Sequence, residues 1–364
     1  MTIDFANLQK HYLLYKDEID TAVHAVLDKC NFIMGEEVAQ LESALAAYVG
    51  VKHAITCSSG TDALQLSLMS IDIAPGDEVI TTPFTFIATA EMIAHLGAVP
   101  VFVDIDEATY NIDPSKIEDK ITAKTKAIIP VSLYGQTADM DAINAIAAKH
   151  RLIVIEDAAQ SFGATYKGNK SCALSDIGCT SFFPAKPLGC FGDGGAIFTD
   201  NDVLAEKMRS MRVHGQSKRY HHRYIGIGGR LDTIQAAVLN VKLKHYQKDL
   251  ALREEVAQTY NLMLSGKRLI PFIAPERTSA YAQYSIRVQE RDALQETLKN
   301  HGIPTAVHYP MPLHLQECFT YLGYKQGDFP ISETVAKEIM SLPMNPCLTY
   351  DEINYIVSNI NRLL

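Results

Sequence analysis

Lys186 stands in the run Ser181-Phe182-Phe183-Pro184-Ala185-Lys186-Pro187-Leu188-Gly189, just ahead of Gly192-Asp193-Gly194-Gly195. Lysines usually occupy polar helix faces. One set among Phe, Pro and Gly is either a surface loop lysine or an amine whose pKa an apolar setting lowers, freeing it as a nucleophile. A second segment, Ser58-Ser59-Gly60-Thr61-Asp62, lies between a strand-like run and a helix-like run. Free N–H groups at a helix start, with hydroxyls and a flexible Gly, suit a phosphate. The same residue types also make an ordinary N-cap. The pattern is not a P-loop, because G-x-x-x-x-G-K-[ST] is absent. A third segment, Glu156-Asp157-Ala158-Ala159-Gln160-Ser161, follows the apolar run LIVI. The carboxyl end of such a strand opens into the crevice where open α/β sheets bind ligands. A carboxylate there can hold a cationic nitrogen or cap a helix.

A phosphate cradle, an acid after a strand and an apolar lysine together match what pyridoxal phosphate requires. Its phosphate takes N–H and hydroxyl donors, its ring nitrogen stays protonated beside a carboxylate that raises that nitrogen's pKa, and its aldehyde bonds a lysine. An aromatic side chain against its ring adds roughly 0.5–1.5 kcal/mol beyond burial. Other segments say less. Gly226-Ile227-Gly228-Gly229 follows YHHRY, not a strand, and its third Gly has the wrong spacing for a dinucleotide turn, so it reads as a flexible loop. His221-His222 and the scattered Asp and His show no metal-ligand pattern, and no metal is expected. His308-Tyr309, in AVHYPMPLH, lies in the kind of loop that either lines a site or packs as a turn.

The elements that must position these residues alternate. Ala54–Cys57, Glu78–Thr82, 99–104, 126–135 and 151–157 are strand candidates, separated by helix-like stretches such as SSGTDALQLSLMS, TFIATAEMIAHLG and DMDAINAIAAKH. Short strands between longer helices predict a mostly parallel sheet with helices on both faces. DIGCTSFF and GGAIFTD add strands on one side of it. A long helix is expected from Leu231 to about Thr259, then a Pro- and Gly-rich junction, GKRLIPFIAPERTSA. A smaller α+β domain follows, with YSIRV as a strand and DALQETLKNHG and SETVAKEIMSL as helices.

The length suits two domains, and the 47% hydrophobic and 21% charged content is that of a globular chain. A net charge of −9 argues against nucleic acid or an anionic membrane as the main partner. The seven cysteines are odd in number, widely spaced and without a C-x-x-C pair, which speaks against a disulfide framework or zinc site. The charged N-terminus does not read as a signal peptide, and no run of 18 apolar residues occurs, so a cytoplasmic location is expected.

With SSGTDAL, PGDEVITTPFTFIAT, IPVSLYGQ, IEDAAQSFGA, SFFPAKPLGCFGDGGAI and RLDTIQAA in place, the sequence resembles the nucleotide-sugar aminotransferases of the DegT/DnrJ/StrS type over nearly its whole length. The resemblance implies an α/β, fold-type I pyridoxal phosphate enzyme. Its large domain would carry a mostly parallel, seven-stranded sheet (15–245), and a small C-terminal α+β domain (246–364) would have residues 1–14 packed near it. It implies that Lys186 bonds the cofactor aldehyde and shuttles the proton, that Asp157 pairs with the ring nitrogen, and that Gln160 lies near the ring hydroxyl. Gly60, Thr61 and Ser181 would hold the phosphate, and Phe86 would stack on the ring. Members are usually homodimers whose sites borrow residues from the neighbouring subunit's GIGGRLD loop. Many carry an Asn there that reaches the phosphate; this sequence has Gly228, which leaves the contact to a backbone N–H or a water.

Within the family, YHHRYIGIGGRLD and PTAVHYPMPLH resemble enzymes that aminate a 3-keto UDP-linked N-acetyl hexuronate for bacterial surface polysaccharides such as O-antigen. By that likeness L-glutamate is the amino donor, and Arg230, His308 and Tyr309 contact the sugar carboxylate or diphosphate. A guanidinium can bind such anions through two parallel bonds. The alternatives are an aminotransferase for a 4-keto or deoxy nucleotide sugar, a pyridoxal-dependent sugar dehydratase, and a non-catalytic pyridoxal phosphate-binding regulatory module. Dehydratases of this group carry His at the lysine position, against Lys186, and the regulators usually carry an added DNA-binding segment.

Overall fold

The computed structural model describes residues 3–364 apart from Ser265, Lys267 and Arg268. In chain order the strands are β1 (His53–Cys57), β2 (Glu78–Thr81), β3 (Val99–Phe102), β4 (Thr125–Ile128), β5 (Ile153–Asp157), the short pair β6 (Thr165–Tyr166) and β7 (Asn169–Lys170), and β8 (Ile177–Ser181). They continue with β9 (Gly195–Thr199), the short pair β10 (Gln216–Lys218) and β11 (His221–His222), then β12 (Tyr284–Arg287) and β13 (Ile339–Leu342). Seven of them form one sheet in the order β1-β9-β8-β5-β4-β2-β3. Neighbours from β8 to β3 are parallel, while β9 runs antiparallel to both β8 and β1. This is the mostly parallel α/β sheet expected from the alternation of strands and helices.

The strands of this sheet are mostly buried and rich in Ile, Val, Ala, Cys and Phe with little alternation, because helices cover both faces. Ile55, Cys57, Ile155, Ile177 and Ile197 pack under the helices Gly60–Ser70, Ala88–His95 and Asp202–Met211. Ala54, Ala196 and Phe198 point the other way, onto the helix Glu36–Val49 and the start of the helix Thr233–Met263. Each fully buried Ile, Leu or Phe contributes roughly 1.5–3 kcal/mol. The run 126–135 forms a strand only as far as Ile128. Pro130 has no N–H for the ladder, and the chain turns at Tyr134, whose φ is +56°.

The long helix reaches Met263 and passes unbroken through residue 245. Its first half joins the core of the large sheet through Ala236, Leu239 and Tyr246. Its second half gives Val256, Ala257 and Tyr260 to a separate core with Tyr284, Ile286, Met340, Leu342 and Ile356. Ile3 also belongs to that second core. Of the junction expected after this helix, Lys267 and Arg268 lie outside the described residues. The run SETVAKEIMSL is not one helix. The helix Pro330–Glu338 ends and Ile339–Leu342 becomes β13, pairing antiparallel with β12. All four of its residues are buried, and a short apolar run of this kind takes its state from the partner strand rather than from its own period.

Candidate active site

The six strands that run the same way deliver their carboxyl ends to one edge of the sheet, and Cys57, Thr81, Asp157 and Ser181 stand there. The antiparallel β9 begins at that edge, so Gly195 lies between Cys57 and Ser181. The three chemistry-bearing segments of the sequence thus meet in one place, the crevice position of open α/β sheets.

Glu156 and Asp157 show how a strand assigns two acids to different tasks, since successive side chains face opposite ways. Glu156 is fully buried and accepts from Ser132 Oγ (2.7 Å), Ser171 Oγ (2.9 Å) and the Cys172 N–H (2.8 Å). Those donors all come from the fold itself, and Glu156 ties β5 to the loops around it. Asp157 Oδ2 accepts from Thr89 Oγ1 at 2.7 Å and Oδ1 from the Ala159 N–H at 3.2 Å. A carboxylate offers about four lone-pair sites, so Asp157 keeps acceptor capacity for a ligand N–H. Burial raises its pKa, while these donors and, when it is charged, the Lys186 amine pull it back.

Lys186 sits on a turn folded back on itself. Its N–H donates to Phe183 O at 2.8 Å, and the Cys190 N–H donates to Phe182 O at 2.8 Å. The end of the turn is held from below, where the buried Lys242 Nζ donates to Gly189 O. The Lys186 Nζ makes no hydrogen bond among the described residues. Desolvation lowers its pKa and the nearby Asp157 carboxylate opposes this, a setting that favours a neutral, nucleophilic amine.

Ser59 caps the helix Gly60–Ser70, its Oγ accepting from the Asp62 N–H at 3.0 Å. The Ala63 N–H makes the first helical bond to Ser59 O at 3.0 Å. The amides of Gly60 and Thr61 precede it and are left for an anion. The N-cap and anion readings of this segment are therefore both realised, by different atoms. The fit is close. A Cβ on Gly60 would stand 2.7 Å from Ser181 Cβ, and one on Gly195 would stand 2.4 Å from Ser59 O and 2.8 Å from Gly60 N. Two glycines thus let the helix start settle against the ends of β8 and β9. Gly195→Ala is expected to push this loop off its seat at a cost of roughly 1–3 kcal/mol, read as a lower urea midpoint with an unchanged slope.

Gln160 and Tyr309 close another side. Gln160 Oε1 accepts from the Tyr134 N–H (2.8 Å), and its Nε2 donates to the Tyr309 hydroxyl (3.1 Å). Burial and the Asp157 charge raise the Tyr309 pKa, so it stays a neutral phenol. His308 bonds Ser341 Oγ through Nδ1 at 2.9 Å, and desolvation, with Lys186 adding to it, lowers its pKa to about 4. Phe86 has its ring 6.2 Å from that of Tyr309 and is 55% exposed, so an aromatic face is open at this edge.

Arg230 is less closely tied to the group. It follows Gly229, whose carbonyl accepts from the Ser58 N–H at 3.1 Å, which puts the start of the phosphate-suited loop beside it. The Arg230 guanidinium has no partner among the described residues. Gly228 is exposed, and a Cβ there would stand 3.2 Å from the His214 ring. His221 and His222 are exposed on the β10–β11 hairpin. Thr89, Gly195 and Lys242 were not legible as contributors. The first had one signal, its four-residue spacing from Thr85 at the start of a helix.

The donor set therefore fits a flat, phosphorylated, nitrogen-bearing ring. It offers helix-start amides for the phosphate, a buried carboxylate with spare acceptor capacity, an aromatic face and a desolvated amine. The DegT/DnrJ/EryC1/StrS aminotransferase family model matches residues 14–361. A UDP-2-acetamido-2-deoxy-3-oxo-D-glucuronate aminotransferase from Pseudomonas aeruginosa is 52% identical over 361 residues, covering 99% of this chain and 100% of its own. The crystal structure of DesV from S. venezuelae superposes with a TM-score of 0.97 at 37% identity, covering 100% of this chain and 98% of its own. A Bacillus subtilis protein solved with bound cofactor PMP superposes with a TM-score of 0.92 at 30% identity, covering 100% of this chain and 85% of its own. The chain belongs to the DegT/DnrJ/EryC1/StrS aminotransferase family and is an aminotransferase that works with pyridoxal phosphate.

Proposed function

We infer that this aminotransferase moves the amino group of L-glutamate to the 3-keto carbon of a UDP-linked N-acetyl hexuronate, for a bacterial surface polysaccharide of the lipopolysaccharide kind. The likeness to the Pseudomonas aeruginosa enzyme, 52% identical from end to end, carries the reading. An unpartnered guanidinium on Arg230, next to the loop suited to phosphate, supports an anionic substrate.

In this reading pyridoxal phosphate, when bound, supplies an electron sink that makes the carbon bearing the amino group acidic. The protein does the rest. Gly60, Thr61 and Ser181 would hold the phosphate, Phe86 would cover one ring face, Gln160 would lie near the ring hydroxyl, and Asp157 would accept from the ring N–H. Lys186 Nζ would bond the aldehyde, and its free amine would be the group that takes a proton at one carbon and returns it at another. Its lowered pKa leaves it free to accept. His308, neutral at pH 7 by its pKa of about 4, and Tyr309 face the sugar as hydrogen-bonding groups while Arg230 takes its charge.

The same proposal divides the chain into a cofactor-binding domain (15–245) and a small domain (246–364) with residues 1–14 beside it. It places the enzyme in the cytoplasm as a homodimer whose sites the neighbouring subunit completes. Phe32, Ile33 and Met34 are 41–51% exposed beside the start of the long helix, an apolar strip suited to a second copy. No helix among the described residues is long and apolar enough to cross a membrane.

Purified protein is expected to absorb in the visible region, and L-glutamate alone is expected to bleach it. Bleached protein should then regain its colour with the 3-keto UDP-uronate at least about tenfold faster than with 4-keto or deoxy nucleotide sugars, because the uronate carboxylate is bound by a charge-assisted contact. Equal rates across that panel would overturn the sugar assignment. Colour that no amino donor bleaches would favour a regulatory module.

A further inference from the structure

The segment Pro83-Phe84-Thr85-Phe86-Ile87-Ala88-Thr89 enters the helix Ala88–His95 at the carboxyl end of β2. Phe86 turns outward and is half-exposed, while Thr85 and Thr89 are buried. Thr89 Oγ1 donates to Asp157 Oδ2 at 2.7 Å. An ionised carboxylate only accepts, so the direction of that bond is fixed. The Thr89 oxygen is then left to accept, and Thr85 Oγ1 stands 3.3 Å from it. The three groups form a chain with one direction, Thr85 to Thr89 to Asp157. The Thr89 N–H donates to Phe86 O at 3.3 Å, which locks the residue carrying the aromatic face to the residue bracing the acid.

We propose that Thr89 is a positioning residue that orients Asp157 toward the ring nitrogen of pyridoxal phosphate, with Thr85 supporting it from behind. The proposal rests on the cofactor reading above and adds a role for a hydroxyl outside the cofactor-contacting set. Two physical reasons make the contact consequential. One Asp157 oxygen is pinned by the Ala159 N–H at 3.2 Å, so the bond from Thr89 to the other settles the plane of the carboxylate. Burial also favours the neutral acid, which cannot accept a charge-assisted bond from a protonated ring; Thr89 acts against that tendency. A hydrogen bond to an ionised group changes an equilibrium by about tenfold or more.

Thr89→Val removes the hydroxyl while keeping the shape, and Thr89→Ser restores it. The test is the dissociation constant of two ligands measured by absorbance: pyridoxal phosphate, and its 1-deaza analogue, in which a C–H replaces the ring nitrogen. Thr89→Val is expected to weaken pyridoxal phosphate by about tenfold or more, to leave the deaza analogue within about twofold, and to be rescued by Thr89→Ser. Equal weakening of both ligands would mean that the valine only disturbs packing, and would overturn the proposal. So would unchanged binding of pyridoxal phosphate. An absence of pyridoxal phosphate binding in the parent protein would instead overturn the cofactor reading on which the proposal stands.

Discussion

Lys186→Ala is expected to end transamination, lowering kcat by at least about a thousandfold, and to yield protein that retains pyridoxal phosphate only reversibly. On the proposed reading two properties leave with one amine: the covalent hold on the aldehyde, and the proton carrier for both half-reactions. The other lysine near this turn, Lys242, is spent on Gly189 O beneath it, and a lysine there hydrogen-bonds the turn rather than facing the crevice. The alanine protein should remain folded, because the turn is set by main-chain bonds from Lys186 N–H and Cys190 N–H that the substitution leaves intact. Its unfolding free energy from urea titration is expected within about 0.5 kcal/mol of the parent. Lys186→Arg separates charge from chemistry. It keeps a cation near Asp157 but stays protonated, so it is expected to be equally inactive. Small primary amines added to Lys186→Ala are expected to restore part of the proton transfer. The measurement is single-turnover kinetics with L-glutamate, and turnover within tenfold of the parent would remove Lys186 from the mechanism.

Much of the sheet, and the segments that its carboxyl edge brings together as a candidate site, were legible in the sequence because both depend on local signals. Strands such as His53–Cys57 and Ile153–Asp157 are compact apolar runs with turn residues at their ends, and the residue that follows a parallel strand falls at the crevice by geometry alone. Lys186 stood out because Pro, Phe and Gly neighbours are a poor setting for a lysine that faces water. What stayed hidden depends on contacts between distant residues. The antiparallel direction of β9 follows from its pairing with both β1 and β8, which no local pattern encodes. Ile339–Leu342 has a run that suits a helix or a strand, and Tyr284–Arg287, more than fifty residues earlier, decides it. Gly195 looks like one glycine among several until Ser59 O is found where its side chain would go. Residue type does not separate the two acids Glu156 and Asp157; the family resemblance singles out Asp157, and the pleat of β5 supplies the physical reason, sending one acid to the loops and the other to the candidate site.

Asp157→Asn is expected to lower kcat/KM by roughly a hundredfold or more, within the range seen when one preorganised electrostatic contact is removed from a reaction centre. The substitution preserves shape. An amide oxygen can still accept from the Ala159 N–H, and its NH2 group can meet the Thr89 oxygen. On the proposed reading, what is lost is the negative charge that would keep a protonated ring nitrogen in place, so the loss should fall on proton transfer at carbon more than on phosphate or lysine contacts. Cofactor content after dialysis should therefore drop less than the rate does. The pH dependence has a definite sign. In the cofactor-free protein burial raises the Asp157 pKa above the ordinary aspartate value, so the parent apoprotein's affinity for pyridoxal phosphate should fall as pH drops through that raised value. The asparagine variant has no such group, and its affinity for the cofactor should lack that acid limb. Stability should move the other way. A buried acid whose folded pKa is raised is a cost to the cofactor-free fold at pH above it, so removing the charge is expected to leave the apoprotein as stable as the parent at pH 7, or more so. An apoprotein markedly less stable than the parent, with an unchanged acid limb, would show that Asp157 braces the fold and that another group meets the ring nitrogen.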